Sequence, residues 1–221
     1  AARDEDRVAF QSRVDLIIPI VKSWCTEMAQ EATYTGLQVH GGMGFIEETG
    51  AAQYMRDARI LTIYEGTTGI QALDLMGRKM LRDKGQAMGQ LIEELTAFNQ
   101  QLSSADGDFA LIGARFTPAL AAFETATAWY LEQVAEDPDL GSAVGVDFTM
   151  MAGNVVCAWL LARAAFAAQK HIDAGSHDRF YRHKISTAVF FAERILPRSE
   201  ALAAMVMSGS ASAMSIAADE F

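Results

Sequence analysis

Apolar positions recur every three to four residues along most of the chain, and the two-residue alternation typical of strands is nearly missing. Pro19, Ile20, Val21, Trp24, Met28 and Ala32 predict a helix with proline in its first turn, running to about Val39. His40-Gly41-Gly42-Met43-Gly44 ends it and opens a tight loop. A short helix is predicted from Gly50 to Leu61, and Thr67 or Thr68 caps a third that reaches about Lys79. After a break at Asp83-Lys84-Gly85, Met88, Leu91, Ile92, Leu95, Phe98 and Leu102 share one helix face. A turn over Ser103 to Asp108 leads to a helix from Phe109 to Ala135, with Pro118 as a candidate kink. Beyond a loop at Glu136 to Asp139, a long, mostly buried helix is expected over Asp147 to Asp173. Gly175 to Asp178 caps the next, Arg179 to Leu196, which Pro197 ends; a tail rich in Ser, Ala and Met follows. The expected fold class is all-α. An antiparallel helical bundle over residues 1–82 is followed by a second helical bundle over 83–221.

Composition narrows the functional classes. The 221 residues are 51% hydrophobic with four prolines, which suits packed helices. With 28 acids against 18 bases the formal net charge is −10, so the surface repels phosphate backbones and nucleic-acid binding is not expected. Cys25 and Cys157 stand far apart in apolar contexts, with neither disulfide nor metal-ligand spacing; reduced, buried thiols in a cytoplasmic protein are the expectation. The longest apolar stretch, Val155 to Ala168, is interrupted by Arg163 and falls short of the ~20 residues that cross a bilayer, so no span is expected. The chain opens on Ala1-Ala2-Arg3-Asp4-Glu5-Asp6, a charged segment without an initiator Met, as a piece of a longer polypeptide would.

Two segments carry candidate chemistry. Leu37 to Phe45 holds the glycine loop, and Arg56 to Gln71 holds Ile63-Tyr64-Glu65-Gly66-Thr67-Thr68-Gly69-Ile70-Gln71. Glu65 sits where a loop meets a helix. Gly66 removes bulk beside its carboxylate, and Ile60, Leu61, Ile63, Tyr64 and Ile70 make the neighbourhood apolar. A carboxylate whose water a ligand displaces is a stronger base. Taken alone, the same acid reads more readily as a charge favoured by a helix N-terminus. Gly66-Thr67-Thr68-Gly69 leaves backbone N–H groups for an anion, or is simply a threonine cap. His40 has no metal partner at helical spacing and reads as structural; Arg56 and Asp57 read as ion-pairing groups, and His171, His177 and His183 as solvated helix-end residues.

Together the two segments resemble the C-terminal signature of the acyl-CoA dehydrogenase family. The residues that carry the likeness are Gln38, Gly41-Gly42-Met43-Gly44, Arg56-Asp57, Tyr64-Glu65-Gly66-Thr67 and Ile70-Gln71, in order and in register over roughly residues 20–80. The resemblance implies a flavin enzyme with FAD as cofactor and an acyl-CoA as substrate, passing electrons to an electron-transfer flavoprotein and assembling as a homodimer or homotetramer. It implies Glu65 as the catalytic base, and Thr67 and Thr68 at the flavin. Gln38, Gly41 and Gly42 would meet the adenosine end of an FAD held mainly by a neighbouring subunit, with Tyr64 and Gly66 lining the acyl pocket. Gly69 stands where the family often has Gln. Residues 84–221 resemble the extra helical domain of a larger bacterial subgroup, which includes enzymes for methylthiopropionyl-CoA. The family's β-domain and earlier helices have no counterpart here, so the chain alone is expected to be inactive and to bind FAD poorly. A non-enzymatic module of the same fold, for oligomerisation or DNA protection, is the alternative.

Overall fold

The computed structural model describes residues 4–220, and the opening Ala1-Ala2-Arg3 lies outside them. The described residues form helices without a strand: α1 (Asp4–Val39), α2 (Gly42–Phe45), α3 (Ala51–Arg59), α4 (Thr68–Leu73), α5 (Gln86–Ser103), α6 (Gly107–Gln133), α7 (Leu140–Asp173), α8 (Arg179–Arg194) and α9 (Arg198–Val206). The all-α expectation holds.

α1 begins well before the predicted start, so Pro19 lies mid-helix and not in a first turn. Mid-helix proline removes one hydrogen bond from the ladder and crowds the carbonyl four residues back, a cost of about 3 kcal/mol. One turn apart on either side of that gap, Leu16 and Ile20 are 1% exposed, and their insertion into the core outweighs the loss. The result is a rod of 36 residues, about 54 Å long. α3, α4 and α7 all pack against it, and α4 and α7 pack against each other.

α4 winds on into a wider, π-helical stretch over Asp74–Met80. There the Tyr130 hydroxyl donates to the Met76 carbonyl at 3.2 Å, supplying a partner where the helical ladder is disturbed. Gly145 explains why α7 starts at Leu140 and not at the predicted Asp147. A Cβ there would stand 3.3 Å from Met76 and 3.4 Å from Ala72, so the small residues ahead of Asp147, unassigned from sequence, are a helix face against which α4 packs closely. Pro197 likewise opens a helix as well as ending one. The segment read as a tail folds as α9, because Ala203 and Val206 find core contacts and Arg198 makes a two-pronged pair with Glu31 of α1, each arm 2.6 Å.

By length and composition α7 could cross a membrane, yet 61% of its most apolar window is buried inside the bundle. It is the spine of one continuous core. Leu16, Ile20, Leu75, Met76 and Met80 from before the Asp83-Lys84-Gly85 break join Met88, Phe116, Phe123, Phe148 and Val155 from beyond it. Cys157 is half-buried, but Cys25 is exposed, against the expectation of two buried thiols; it lies on a face of α1 that nothing in this chain fully covers.

Candidate functional site

The chain turns sharply between a 3₁₀ turn at Ile60–Thr62 and the start of α4. Glu65 has φ +55° and Gly66 φ +92°, two consecutive residues in the left-handed region. Glycine takes that conformation freely; for a glutamate it costs about 1–3 kcal/mol and persists only where surroundings enforce it. Three contacts do so. Lys22 Nζ of α1 donates to the Leu61 carbonyl at 2.9 Å and to the Gly66 carbonyl at 2.6 Å. Gln71 Nε2 donates to the Glu65 carbonyl at 3.1 Å. A Cβ at Gly66 would lie 2.7 Å from Gln71 Nε2 and would push that amide off the Glu65 carbonyl.

The arch therefore holds the Glu65 backbone while leaving its side chain exposed. Its apolar neighbours along the chain, Ile60, Ile63, Tyr64 and Ile70, are each about half exposed and give the turn an apolar collar. The sequence anticipated the apolar neighbours; the structure adds that they are open to solvent here. Lys22 Nζ also lies 5.9 Å from the centre of the Tyr64 ring.

The two threonines part company. Thr67 is the N-cap of α4: its Oγ1 accepts from the Ile70 N–H at 3.2 Å, which leaves its hydroxyl proton free to donate outward from an exposed position. Thr68 Oγ1 instead donates to Glu27 Oε1 of α1 at 2.5 Å, so its hydroxyl proton is spent inside the chain. Lys22 and Glu27 were not singled out by sequence reasoning, and neither was Gln30, whose Nε2 donates to the Ala58 carbonyl at 2.6 Å. All three are polar residues of α1 gripping the segment from Ala58 to Thr68. Their positions within a helix of mixed polarity were the only available signal.

Gln38, Gly41 and Gly42 lie at the far end of α1, about 24 Å along the rod from Lys22. The structure thus holds these three residues far from Lys22, while Arg56 and Arg59 of the second segment share a cleft with Leu37 and Phe45 of the first. All three residues are exposed, and an added Cβ at Gly41 or Gly42 would meet nothing within 4 Å. Bare backbone here is open to a flat or charged ligand approaching from outside. By contrast a Cβ at Gly44 would stand 2.1 Å from the Leu37 carbonyl, so that glycine serves the turn itself. His40 Nδ1 donates to the Gly36 carbonyl at 2.9 Å, a structural role. Arg56 pairs at the surface with Glu47 at 3.5 Å. A cleft of about 720 Å³ opens beside the glycine loop, lined by Gln30, Leu37, Phe45, Met55, Arg56 and Arg59 among others.

The groups needed to hold FAD are consistent with this surface. An outward hydroxyl at Thr67 and uncluttered glycine backbone at Gly41 and Gly42 suit contact with a polar, planar ligand at two separate places. Among the described residues no cluster of three or more His, Cys, Asp or Glu could bind a metal ion.

Residues 2–81 match the family model for the acyl-CoA dehydrogenase C-terminal domain, and residues 88–217 match the model described as acetyl-CoA dehydrogenase C-terminal like. The 3-methylmercaptopropionyl-CoA dehydrogenase of Ruegeria pomeroyi is 44% identical over 193 residues, 87% of this chain and 33% of that protein. The broad-specificity linear acyl-CoA dehydrogenase FadE5 of Mycobacterium tuberculosis is 36% identical over 83% of this chain and 31% of its own length. The rat short-chain specific acyl-CoA dehydrogenase is 43% identical, but over only 26% of this chain and 14% of its own. The chain thus spans about a third of the length of the long curated relatives it matches.

Proposed function

Because this chain belongs to the acyl-CoA dehydrogenase family, we propose that it is the C-terminal helical part of an FAD-dependent enzyme that converts an acyl-CoA thioester to the trans-2-enoyl-CoA, with Glu65 as base. One observation carries the reading: Glu65 is held in a left-handed turn with its side chain exposed, in a segment whose apolar residues are half exposed. A thioester acyl chain entering between Tyr64, Ile63 and Ile70 would cover the collar and displace water from the carboxylate. Its α-carbon would then lie beside a desolvated base. Glu65 takes the α-proton. FAD, when bound, accepts the β-hydride.

Thr67 would hold the flavin through its free hydroxyl proton, with the backbone of Thr68 beside it. Gln38, Gly41 and Gly42 are too far along α1 to serve the same end of the same cofactor. Their open backbone supports contact with an FAD bound by a second subunit, hence a homodimer or homotetramer, in a cytoplasmic enzyme that passes electrons to an electron-transfer flavoprotein. The 44% identity to the Ruegeria enzyme favours a short, sulfur-containing or linear acyl group.

The test is Glu65→Gln in the full-length protein, assayed with acyl-CoA and an artificial electron acceptor. Loss of a general base lowers turnover by roughly 10²–10⁴-fold. Turnover at the wild-type rate would remove Glu65 from the chemistry.

A further inference from the structure

We propose that Lys22 is a positioning residue for the reaction: its ammonium closes the arch that presents Glu65 and sets where the carboxylate stands. The proposal rests on Glu65 being the base. Lys22 reaches from the middle of α1 to both feet of the arch, the carbonyls of Leu61 and Gly66, which flank Glu65. An ammonium has three N–H donors. Two are used on these carbonyls, and the group stands 5.9 Å from the Tyr64 ring centre. Lys22 is half-buried, and among the described residues it forms no ion pair within 4.0 Å. A half-buried cation matched by two carbonyl dipoles and a ring face, without an anionic partner among the described residues, is a costly way to add stability. It is an effective way to hold the two feet of the arch a fixed distance apart while Glu65, between them, and Gly66, at the second foot, stay left-handed. Gln71 grips the same arch from α4 through the Glu65 carbonyl, and Glu27 grips Thr68 just beyond it. Lys22 is the contact that spans Glu65 itself.

The experiment uses the full-length enzyme with Lys22→Met, Lys22→Gln and Lys22→Arg beside Glu65→Gln. Four readouts are taken: kcat, KM, uptake of solvent deuterium at the substrate α-carbon without an electron acceptor, and amide hydrogen exchange. For Lys22→Met the expected kcat loss is ~100-fold, with KM within about twofold. Deuterium uptake should fall in parallel, and amide exchange over residues 63–67 should rise about tenfold while α7 keeps its protection. Lys22→Arg, which retains the donors, should recover most of kcat. If Lys22→Met does not fold, Lys22→Gln decides, with an expected loss smaller than that of Met but clear in kcat. Wild-type kcat in the folded Met or Gln variant overturns the proposal. So does a loss confined to KM, or faster exchange spread through α7, which marks a general structural role. Full turnover in Glu65→Gln removes the base reading instead, and the exchange data then still report whether Lys22 pins the arch.

Discussion

The indole N–H of Trp24 donates to the amide oxygen of Asn154 at 2.9 Å, and the same ring lies against the bare backbone of Gly153. This contact joins α1 to α7 across 130 residues of chain and seals the two predicted bundles into one core. A Cβ at Gly153 would stand 2.2 Å from the indole ring. Gly153→Ala is therefore expected to cost about 1–3 kcal/mol through overpacking, read as a lower urea midpoint. Trp24→Phe would leave the Asn154 oxygen unpaired at a site only 3% exposed and cost about 1–3 kcal/mol. Unchanged midpoints in both variants would show that the helices separate easily.

Gly66→Ala should lower activity without unfolding the bundle. The added methyl meets Gln71 Nε2 at 2.7 Å and forces a non-glycine residue into φ +92°. The strain falls on the Glu65 arch, so kcat should drop by tenfold or more, on the order of 1–2 kcal/mol of misplacement. Steady-state kinetics on the full-length protein measure it, with circular dichroism as the control.

Thr67→Ala removes the cap of α4 and should destabilise by about 1 kcal/mol, while Thr67→Ser retains the oxygen and most of the stability. If the outward hydroxyl proton also meets the flavin, the Ala variant should lose bound FAD beyond what its melting temperature explains, and Ser should retain it. Equal flavin content in all three would limit Thr67 to capping.

Stability should fall on the alkaline side. Burial pushes the Tyr130 hydroxyl up to about 12, and burial together with the nearby Cys25 pushes the Cys157 thiol up to about 11. Both folded values lie above the ordinary ones of 10.0 and 9.0, so the stability they contribute is intact below those values. It is lost as pH rises through the folded ones. Urea midpoints should therefore drop between about pH 9 and pH 12, and Tyr130→Phe should flatten the upper part of that fall. On the acid side, the Arg198 hydrogen bond, opposed by partial burial, holds Glu31 below 4.5. That contribution is present above 4.5 and disappears as pH falls through the lowered value, but the pair is exposed and worth less than about 1 kcal/mol.

Helix content and most helix limits were legible because apolar periodicity dominates this chain. Misreadings fell where packing between distant segments outweighs local preference. Pro19 reads as a helix start until Leu16 and Ile20 are seen to be buried together, and the small residues around Gly145 give no helix signal until α4 lies against them. The segment Tyr64 to Thr67 was legible as a motif, and the structure places it in the left-handed turn ahead of α4, among half-exposed apolar residues. Lys22 was not, because its partners are backbone carbonyls 39 and 44 residues away, and no residue type marks such a carbonyl in advance. The different fates of Thr67 and Thr68 were equally hidden, since only the position of Glu27 separates them.

α7 has a bearing on how the polypeptide is made. Emerging from a ribosome, it would present a greasy cylinder long enough to be taken for a membrane insert before α8 and α9, which wrap it, have been synthesised. Those last two helices thus act as a built-in sheath. A message truncated after Asp173 would release a product with its spine uncovered, prone to clump or to be captured by the insertion machinery.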